Sequence, residues 1–167
     1  MKAIKSHKNQ RGITLIELLA VIVILGIIAA IAVPAIGNMI ENSKKDAHIG
    51  NARAMVEATR LLSISESNIM PSEGRRTFVP LGYLINVGYL DEIDSPGYER
   101  YAQTKEHIPA FDDHANNKWA DGQDSFVVID NNNGTIEYYV KLITYNNKVI
   151  LPLTKVNDIT REDITIQ

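Results

Sequence analysis

The chain has 167 residues, no cysteine and a formal net charge of −3, which is the size of one modest domain with an extension. The absence of cysteine excludes disulfides, thiolate metal sites, cysteine nucleophiles and lipidated cysteines. Four of the 17 basic residues and no acid lie in the first twelve positions, which leaves 13 basic against 20 acidic residues elsewhere. This acidic remainder argues against a general nucleic-acid surface, because such a surface needs clustered cations.

A membrane-length apolar run follows the basic N-terminus. Between Leu18 and Ile36, only Gly26 and Pro34 fall outside Ala, Val, Ile and Leu. About 20 such residues span a hydrocarbon core of roughly 30 Å. Because the basic residues precede the run, the positive-inside rule predicts a single-pass segment with a cytoplasmic N-terminus and an exported remainder. A proline inside this helix predicts a kink, since it removes one backbone hydrogen bond.

Two conventional explanations of the run are a plain membrane anchor and a secretory signal peptide. The stretch Ala30-Ile31-Ala32 has the form of a signal-peptidase site. However, the run exceeds the usual apolar region of about 7–15 residues, and it continues beyond that stretch. The sequence therefore favours a retained membrane helix over a signal peptide.

A single carboxylate, Glu17, lies near the start of the run. Placing an ionised side chain in a membrane segment costs free energy, so such a residue suggests a functional role. If the chain is cut after Gly12, Ile13 carries a new α-amino group four residues from this carboxylate, on the same helical face. Glycine before the cut leaves room for a protease to approach the backbone. The pattern predicts a processing site whose new positive charge is matched by Glu17.

The segment RGITLIE, residues 11–17, with the apolar run behind it, resembles the N-terminus of type IV prepilins. The related pseudopilins of type II secretion and DNA-uptake machines share this signature. The resemblance implies removal of residues 1–12 by a prepilin peptidase after Gly12, and N-methylation of Ile13. It implies that Glu17 pairs with the N-terminus of a neighbouring subunit. Relatives often carry Phe or Met after the cut, whereas this chain carries Ile.

The resemblance also implies an architecture and a set of partners. The helix is expected to loosen around Gly26 and Pro34 when subunits leave the bilayer. Residues 13–37 then form a transmembrane and polymerisation half-helix, 38–70 an amphipathic half-helix, and 71–167 an exported globular domain. The implied partners are copies of this chain or related pilins, the prepilin peptidase, an inner-membrane assembly platform and membrane lipid.

The helical pattern continues past the apolar run. Apolar positions recur every seven residues, with two more beside them, and predict a core-facing stripe of Ile40, Ala47, Ala54, Ala58, Leu61 and Leu62. Pro71 enforces an end soon afterwards. Together with the apolar run, this pattern predicts one helix from Ile13 to about Glu66.

The rest of the chain predicts an α+β fold, in which the long helix packs on a small antiparallel sheet. Leu81, Leu84 and Ile85 have helical spacing ahead of Gly88, which predicts a short capped helix. Residues 95–123 are predicted to be irregular. Alternating patterns predict three strands, with an Asn133-Gly134 hairpin turn between the first two, and a final turn and short strand after them. The predicted strands are 125–130, 135–145 and 148–154.

Aspartates in and beside the irregular segment are candidate calcium ligands, because calcium takes six to eight oxygen ligands. Their spacing is irregular, and a solvated, turn-rich loop is the commoner explanation. His107 and His114 are weaker zinc candidates. We therefore expect no cofactor. The calcium candidates are Asp112, Asp113, Asp121 and Asp124.

No nucleophile–base pair, phosphate loop or metal spacing predicts an enzyme. The expected function is a structural subunit of a type IV pilus-like filament, stored in the cytoplasmic membrane and displayed at the cell surface after assembly. One alternative is a pseudopilin of a secretion or DNA-uptake machine. A further alternative is a membrane-anchored extracellular binding protein or enzyme.

Overall fold

The computed structural model describes residues 14–97, 100–104, 109–113 and 124–166. For residues 110–113 it describes the backbone alone. The chain divides into an N-terminal unit, Met1–Ile40, and a C-terminal unit, Glu41–Gln167. In chain order the helices and strands are α1 (Leu15–Ser65), β1 (Arg75–Pro80), α2 (Leu81–Asn86), β2 (Ala110–Asp113), β3 (Phe126–Asn132), β4 (Thr135–Ile143) and β5 (Val149–Lys155). Short 3-10 turns occupy Ser67–Ile69, Val156–Asp158 and Arg161–Asp163.

In the N-terminal unit, helix α1 runs without interruption through Pro34. Its large apolar side chains are exposed, from 51% at Val21 to 87% at Leu15. This is the one helix of the described residues that is long and apolar enough to cross a membrane, with a mean hydropathy of 3.0 over its most apolar window. The loosening around Gly26 and Pro34 stays a prediction, as do the boundaries at residues 12, 37 and 70.

In the C-terminal unit, helix α1 buries a different face from the one predicted. Ala58 and Leu62 are buried as expected, but Leu61 is 58% exposed and Ala47 is also exposed. Ile40, the last residue of the N-terminal unit, is 52% exposed. The predicted repeat lies one residue, about 100° around the helix, from buried positions such as His48 and Leu62. Polar His48 and Thr59 lie on the buried face, so an apolar pattern does not mark it. The buried face is His48, Ala52, Met55, Val56, Ala58, Thr59, Leu62 and Ser63.

The sheet has five strands in the order β2-β1-β3-β4-β5, and all neighbouring strands are antiparallel. The three predicted strands correspond to β3, β4 and β5. At the β3–β4 turn, Asn133 and Gly134 have φ values of 52° and 81°, the left-handed conformation that a tight hairpin of this twist requires. Pro152 lies in the edge strand β5, where a missing N–H is tolerated.

Two strands were missed, and the prediction that residues 95–123 are irregular was wrong at Ala110–Asp113. Strand β1 begins with two arginines and ends at a proline, so it lacks a clean alternating pattern. It forms a strand because it pairs with β3 along its full length, from Arg75 opposite Asn131 to Pro80 opposite Phe126. Such distant pairing is invisible to local pattern.

The main core lies between helix α1 and one face of the sheet. Ile129 and Leu142 are fully buried in this core, against helix residues such as Met55 and Leu62. The other face of the sheet carries a second, smaller cluster of Phe78, Phe126 and Val128. Strand β3 is therefore buried on both faces. The predicted α+β fold, a long helix with a small antiparallel sheet, is confirmed.

The short helix predicted after β1 is confirmed as α2. Gly88 has φ 80°, a left-handed conformation that ends the helix without steric strain. The backbone N–H groups of Tyr89 and Leu90 both donate to the Leu84 carbonyl, at 3.0 and 3.3 Å. These bonds satisfy a carbonyl that the helix end would otherwise leave open.

The C-terminal residues return to helix α1. Arg161 donates from Nε and Nη2 to the two carboxylate oxygens of Asp46, each at 2.6 Å, so the ion pair is bidentate. The guanidinium holds the pKa of Asp46 below its usual range. The predicted final strand was wrong: 3-10 turns take its place, and Thr165 donates one backbone hydrogen bond to Ile150, at 2.9 Å.

The two adjacent leucines of helix α1 test which face is buried. Leu62 is 0% exposed and Leu61 is 58% exposed. We expect Leu62→Ala to lower the free energy of unfolding by about 2–5 kcal/mol, because it removes core contacts and leaves a cavity. Leu61→Ala is the matched control and should change it by about 0.5 kcal/mol or less. Chemical denaturation of the full chain in detergent micelles measures both. Equal losses would contradict the assigned face.

Candidate functional site

The first described residues build a helix N-cap. The Thr14 backbone N–H donates to Glu17 Oε2 at 2.8 Å, and the Thr14 hydroxyl donates to the same oxygen at 2.9 Å. In return, the Glu17 backbone N–H donates to Thr14 Oγ1 at 3.3 Å. The Leu18 N–H donates to the Thr14 carbonyl at 3.1 Å and begins the helical ladder. This reciprocal arrangement is a capping box.

The capping box gives Glu17 a local role at the start of helix α1. The first turn of a helix has N–H groups without helical partners and a partial positive charge, and both favour a carboxylate there. Both hydrogen bonds from Thr14 go to one oxygen, Oε2. A carboxylate has a second oxygen with its own lone pairs. Glu17 can therefore cap its own helix and also accept a hydrogen bond from another group.

Sequence reasoning identified Glu17 but missed its partner, Thr14. The signal was present: Thr14-Leu15-Ile16-Glu17 has the Ser/Thr-x-x-Glu form that precedes an apolar helix. A threonine three residues before the acid is sufficient to predict the cap.

The remaining N-terminal candidates are spread along the chain. Gly12 and Ile13 lie outside the described residues, so the structure gives no distance from Ile13 to Glu17. Gly26 and Pro34 both lie inside helix α1. At 1.5 Å per residue, successive positions among Glu17, Gly26 and Pro34 are about 12–14 Å apart, so these three residues form no common site. A Cβ added at Gly26 meets nothing within 4 Å.

The calcium candidates are tested only in part. Asp124 is buried, and its Oδ1 accepts a hydrogen bond from the Thr104 hydroxyl at 2.9 Å. In strand β2, Asp112 lies opposite Arg76 and Asp113 lies opposite Arg75. Asp121 lies outside the described residues, as do both zinc candidates. Within the described part of the chain, no group of three or more carboxylates and histidines could hold a metal ion.

Two cavities on the sheet of the C-terminal unit are lined by described residues. One of about 90 Å³ has apolar walls and contains the Arg76–Asp130 ion pair, with Nε and Oδ2 3.1 Å apart. The other, of about 180 Å³, contains the Lys155–Glu137 pair, with Nζ and Oε1 2.6 Å apart. Each cavity is thus lined by one pair of opposite charges in contact. Neither cavity brings a nucleophile to a general base among its described lining residues.

Comparison with known proteins adds one finding. Residues 7–33 match the family described as the prokaryotic N-terminal methylation motif. Neither a curated protein nor a solved structure matches the chain. The matched residues include the glycine of the predicted cut, the capping box and most of the exposed apolar run. The chain therefore carries the N-terminal methylation motif that is the signature of type IV pilins and pseudopilins.

Proposed function

We propose that this protein is a structural subunit of a type IV pilus-like filament. It is stored in the cytoplasmic membrane, cut after Gly12 by a prepilin peptidase, N-methylated at Ile13 and assembled through the apolar part of helix α1. The observation that carries the proposal is the methylation motif, which leads directly into a helix with exposed apolar side chains. This exposed apolar part of helix α1 needs lipid or other subunits to cover it.

The energetics of assembly explain why Glu17 matters. Lipid tails are as apolar as leucine, so exchanging lipid for neighbouring helices supplies little hydrophobic free energy. Close helix packing and polar pairs must supply the preference for neighbours. A carboxylate in an apolar medium is costly until it meets a cation. Glu17 therefore favours the one axial stagger at which a neighbour's amine reaches it.

The capping box is compatible with this intermolecular pair. Thr14 uses only Oε2 of Glu17 in the hydrogen bonds described above. The ammonium or methylammonium of a neighbour's Ile13 can bind Oε1 while the box persists. In the uncut precursor Ile13 has a peptide nitrogen instead of an amine. Cleavage therefore creates the cation and removes the basic leader in one step.

The motif supports a structural subunit rather than an enzyme, and a membrane-anchored, surface-assembled protein. Pilins and pseudopilins share the motif, so the motif does not distinguish a subunit of a long filament from a subunit of a short one. Immunogold labelling with an antibody against residues 95–124 measures that length. We expect long labelled filaments at the cell surface. Label confined to the membrane would replace the pilus assignment with the pseudopilin alternative.

Processing is tested by Gly12→Val in cells that contain a prepilin peptidase. We expect this chain to keep residues 1–12, because a branched side chain blocks backbone approach at the scissile bond. Gly37→Val is the matched control, since a Cβ added at Gly37 meets nothing within 4 Å. Intact mass should show the control starting at a methylated Ile13. A mature chain that starts after Ala32 would instead support a signal peptide.

The charge of Glu17 is tested by Glu17→Gln. Glutamine can keep the capping box but carries no charge. We expect normal membrane insertion and processing, with sheared filament yield reduced about tenfold or more, because the variant cannot form the charge pair with a neighbour's amine. Glu41→Gln is the control on the same helix; that exposed residue pairs only with Lys45, at 3.2 Å, among the ion pairs described. Wild-type filament yield from Glu17→Gln would contradict the proposal.

The capping role is separated from the charge by Thr14→Val. This change removes the hydroxyl that closes the box and leaves the Glu17 carboxylate in place. We expect the loss of the cap to reduce the stability of the first helical turn by about 1 kcal/mol, while filaments still assemble. Filament yield, compared with that of Glu17→Gln, is the measurement. If Thr14→Val abolishes filaments as completely as Glu17→Gln, capping alone explains the role of Glu17.

A further inference from the structure

The larger cavity of the C-terminal unit, of about 180 Å³, is formed by three neighbouring parts of the fold. Helix α1 contributes Arg60 to its walls, and the first half of strand β4 contributes residues 135–138. The end of strand β5 and the turn after it contribute residues 155–157. We call this cavity the Lys155 cleft. Its walls belong to the folded sheet and helix, so the cleft forms without a partner chain.

The charged side chains of the Lys155 cleft are fixed by contacts with their neighbours. Lys155 Nζ donates to Glu137 Oε1 at 2.6 Å, and the Tyr139 hydroxyl donates to Glu137 Oε2 at 2.8 Å. The Arg60 guanidinium stacks on the Tyr138 ring, with Cζ 4.7 Å from the ring centre. Side chains that are already held in this way lose little further conformational entropy when a ligand binds.

Each cation of the cleft has its own carboxylate. The hydrogen bond to Glu137 raises the pKa of Lys155 above its usual range and lowers the pKa of Glu137, so both groups are ionised at pH 7. Arg60 Nη1 lies 3.3 Å from Oε1 of Glu57, one turn earlier on helix α1. Neither cation therefore requires an ionic ligand to balance its charge, which favours a neutral ligand.

The walls still offer hydrogen bonds to such a ligand. An ammonium has three N–H donors and a guanidinium has five, and a carboxylate oxygen can accept more than one hydrogen bond. Thr135 and Asn157 are exposed, and the hydroxyl and the amide can each donate and accept. Donors and acceptors therefore lie together around one small space. A hydroxyl group, which also donates and accepts, is the ligand chemistry that matches this mixture.

We propose that the Lys155 cleft binds one neutral sugar residue, either a free monosaccharide or a unit of a glycan. The cleft has room for about a dozen water-sized groups. A hexose has a similar number of carbon and oxygen atoms. Ile136 and Val156 supply an apolar part of the wall, against which the C–H groups of a sugar ring can pack. This binding does not depend on the proposed filament assembly.

The direct test is saturation-transfer NMR on the full chain in phosphocholine detergent micelles, because that detergent has no sugar headgroup. The neutral probes are the methyl glycosides of glucose, galactose, mannose and N-acetylglucosamine. The charged probes are the methyl glycosides of glucuronic acid and glucosamine. We expect transfer to at least one neutral probe at millimolar concentration, and weaker transfer to both charged probes. Stronger transfer to a charged probe, or none to any neutral probe, would overturn the proposal.

The source of the sugar is resolved by a second comparison. An oligosaccharide of the bound sugar is titrated beside its methyl glycoside. Tighter binding of the oligosaccharide would support a glycan as the ligand, because further units then contact the surface around the cleft. Equal affinities would support a monosaccharide. Both results agree with the proposed cleft, whereas binding of the oligosaccharide alone would overturn a site for one sugar residue.

Two variants locate the binding. We expect Lys155→Met to weaken it about tenfold or more, because a hydrogen bond from a charged group is lost. Asn157→Ala should weaken it by a smaller factor, and since Asn157 is exposed this variant still decides if Lys155→Met does not fold. Lys45→Met is the matched control, because Lys45 also pairs with one carboxylate, that of Glu41 at 3.2 Å. Unchanged affinity in Asn157→Ala, or an equal loss in Lys45→Met and Lys155→Met, would overturn the assignment.

Discussion

The apolar side chains of residues 15–40 cannot remain in water, and the proposed assembly depends on this constraint. They are exposed in the single chain, and none of the described residues of their own unit, 14–40, buries them. Something outside the chain must therefore cover them, first lipid and then, on the proposed account, copies of the same helix. Because both environments are apolar, the choice between them turns on a few polar groups. Glu17 is the carboxylate within this stretch. The groups around Glu17 therefore determine whether lipid or a neighbouring helix is the more favourable environment.

The capping box changes how Glu17 is understood. A carboxylate near the start of a membrane helix is expected to cost free energy. Here Thr14 and the helix N-terminus stabilise that carboxylate within one chain. In the proposed pathway, that local stabilisation lets the precursor carry the charge before any neighbour is present. Cleavage after Gly12, as proposed, then creates an amine four residues before the same carboxylate in the sequence. A single residue can in this way serve the isolated chain and the assembled one through different oxygens.

The sequence allowed good prediction wherever local pattern carries the information. The extent of helix α1, the Asn133-Gly134 turn and the short helix ended by Gly88 all follow from periodicity and backbone preference. Strands β1 and β2 depend on pairing with residues far along the chain, which no window detects. The buried face of α1 was misassigned because polar residues occupy it. His48 and Thr59 are fully buried there, each satisfied by hydrogen bonds, so a search for apolar residues alone passes over them.

In the proposed filament, Glu17 of one subunit meets the Ile13 amine of another. Solid-state NMR of filaments grown from two pools of subunits measures this contact. One pool carries ¹⁵N at its N-terminus and the other carries ¹³C in its glutamate side chains. The account predicts transfer between the N-terminal ¹⁵N and a ¹³C carboxylate of Glu17 in the mixed filament, at an N···O separation of about 4 Å or less. Transfer that occurs only when both labels are in the same chain would contradict it.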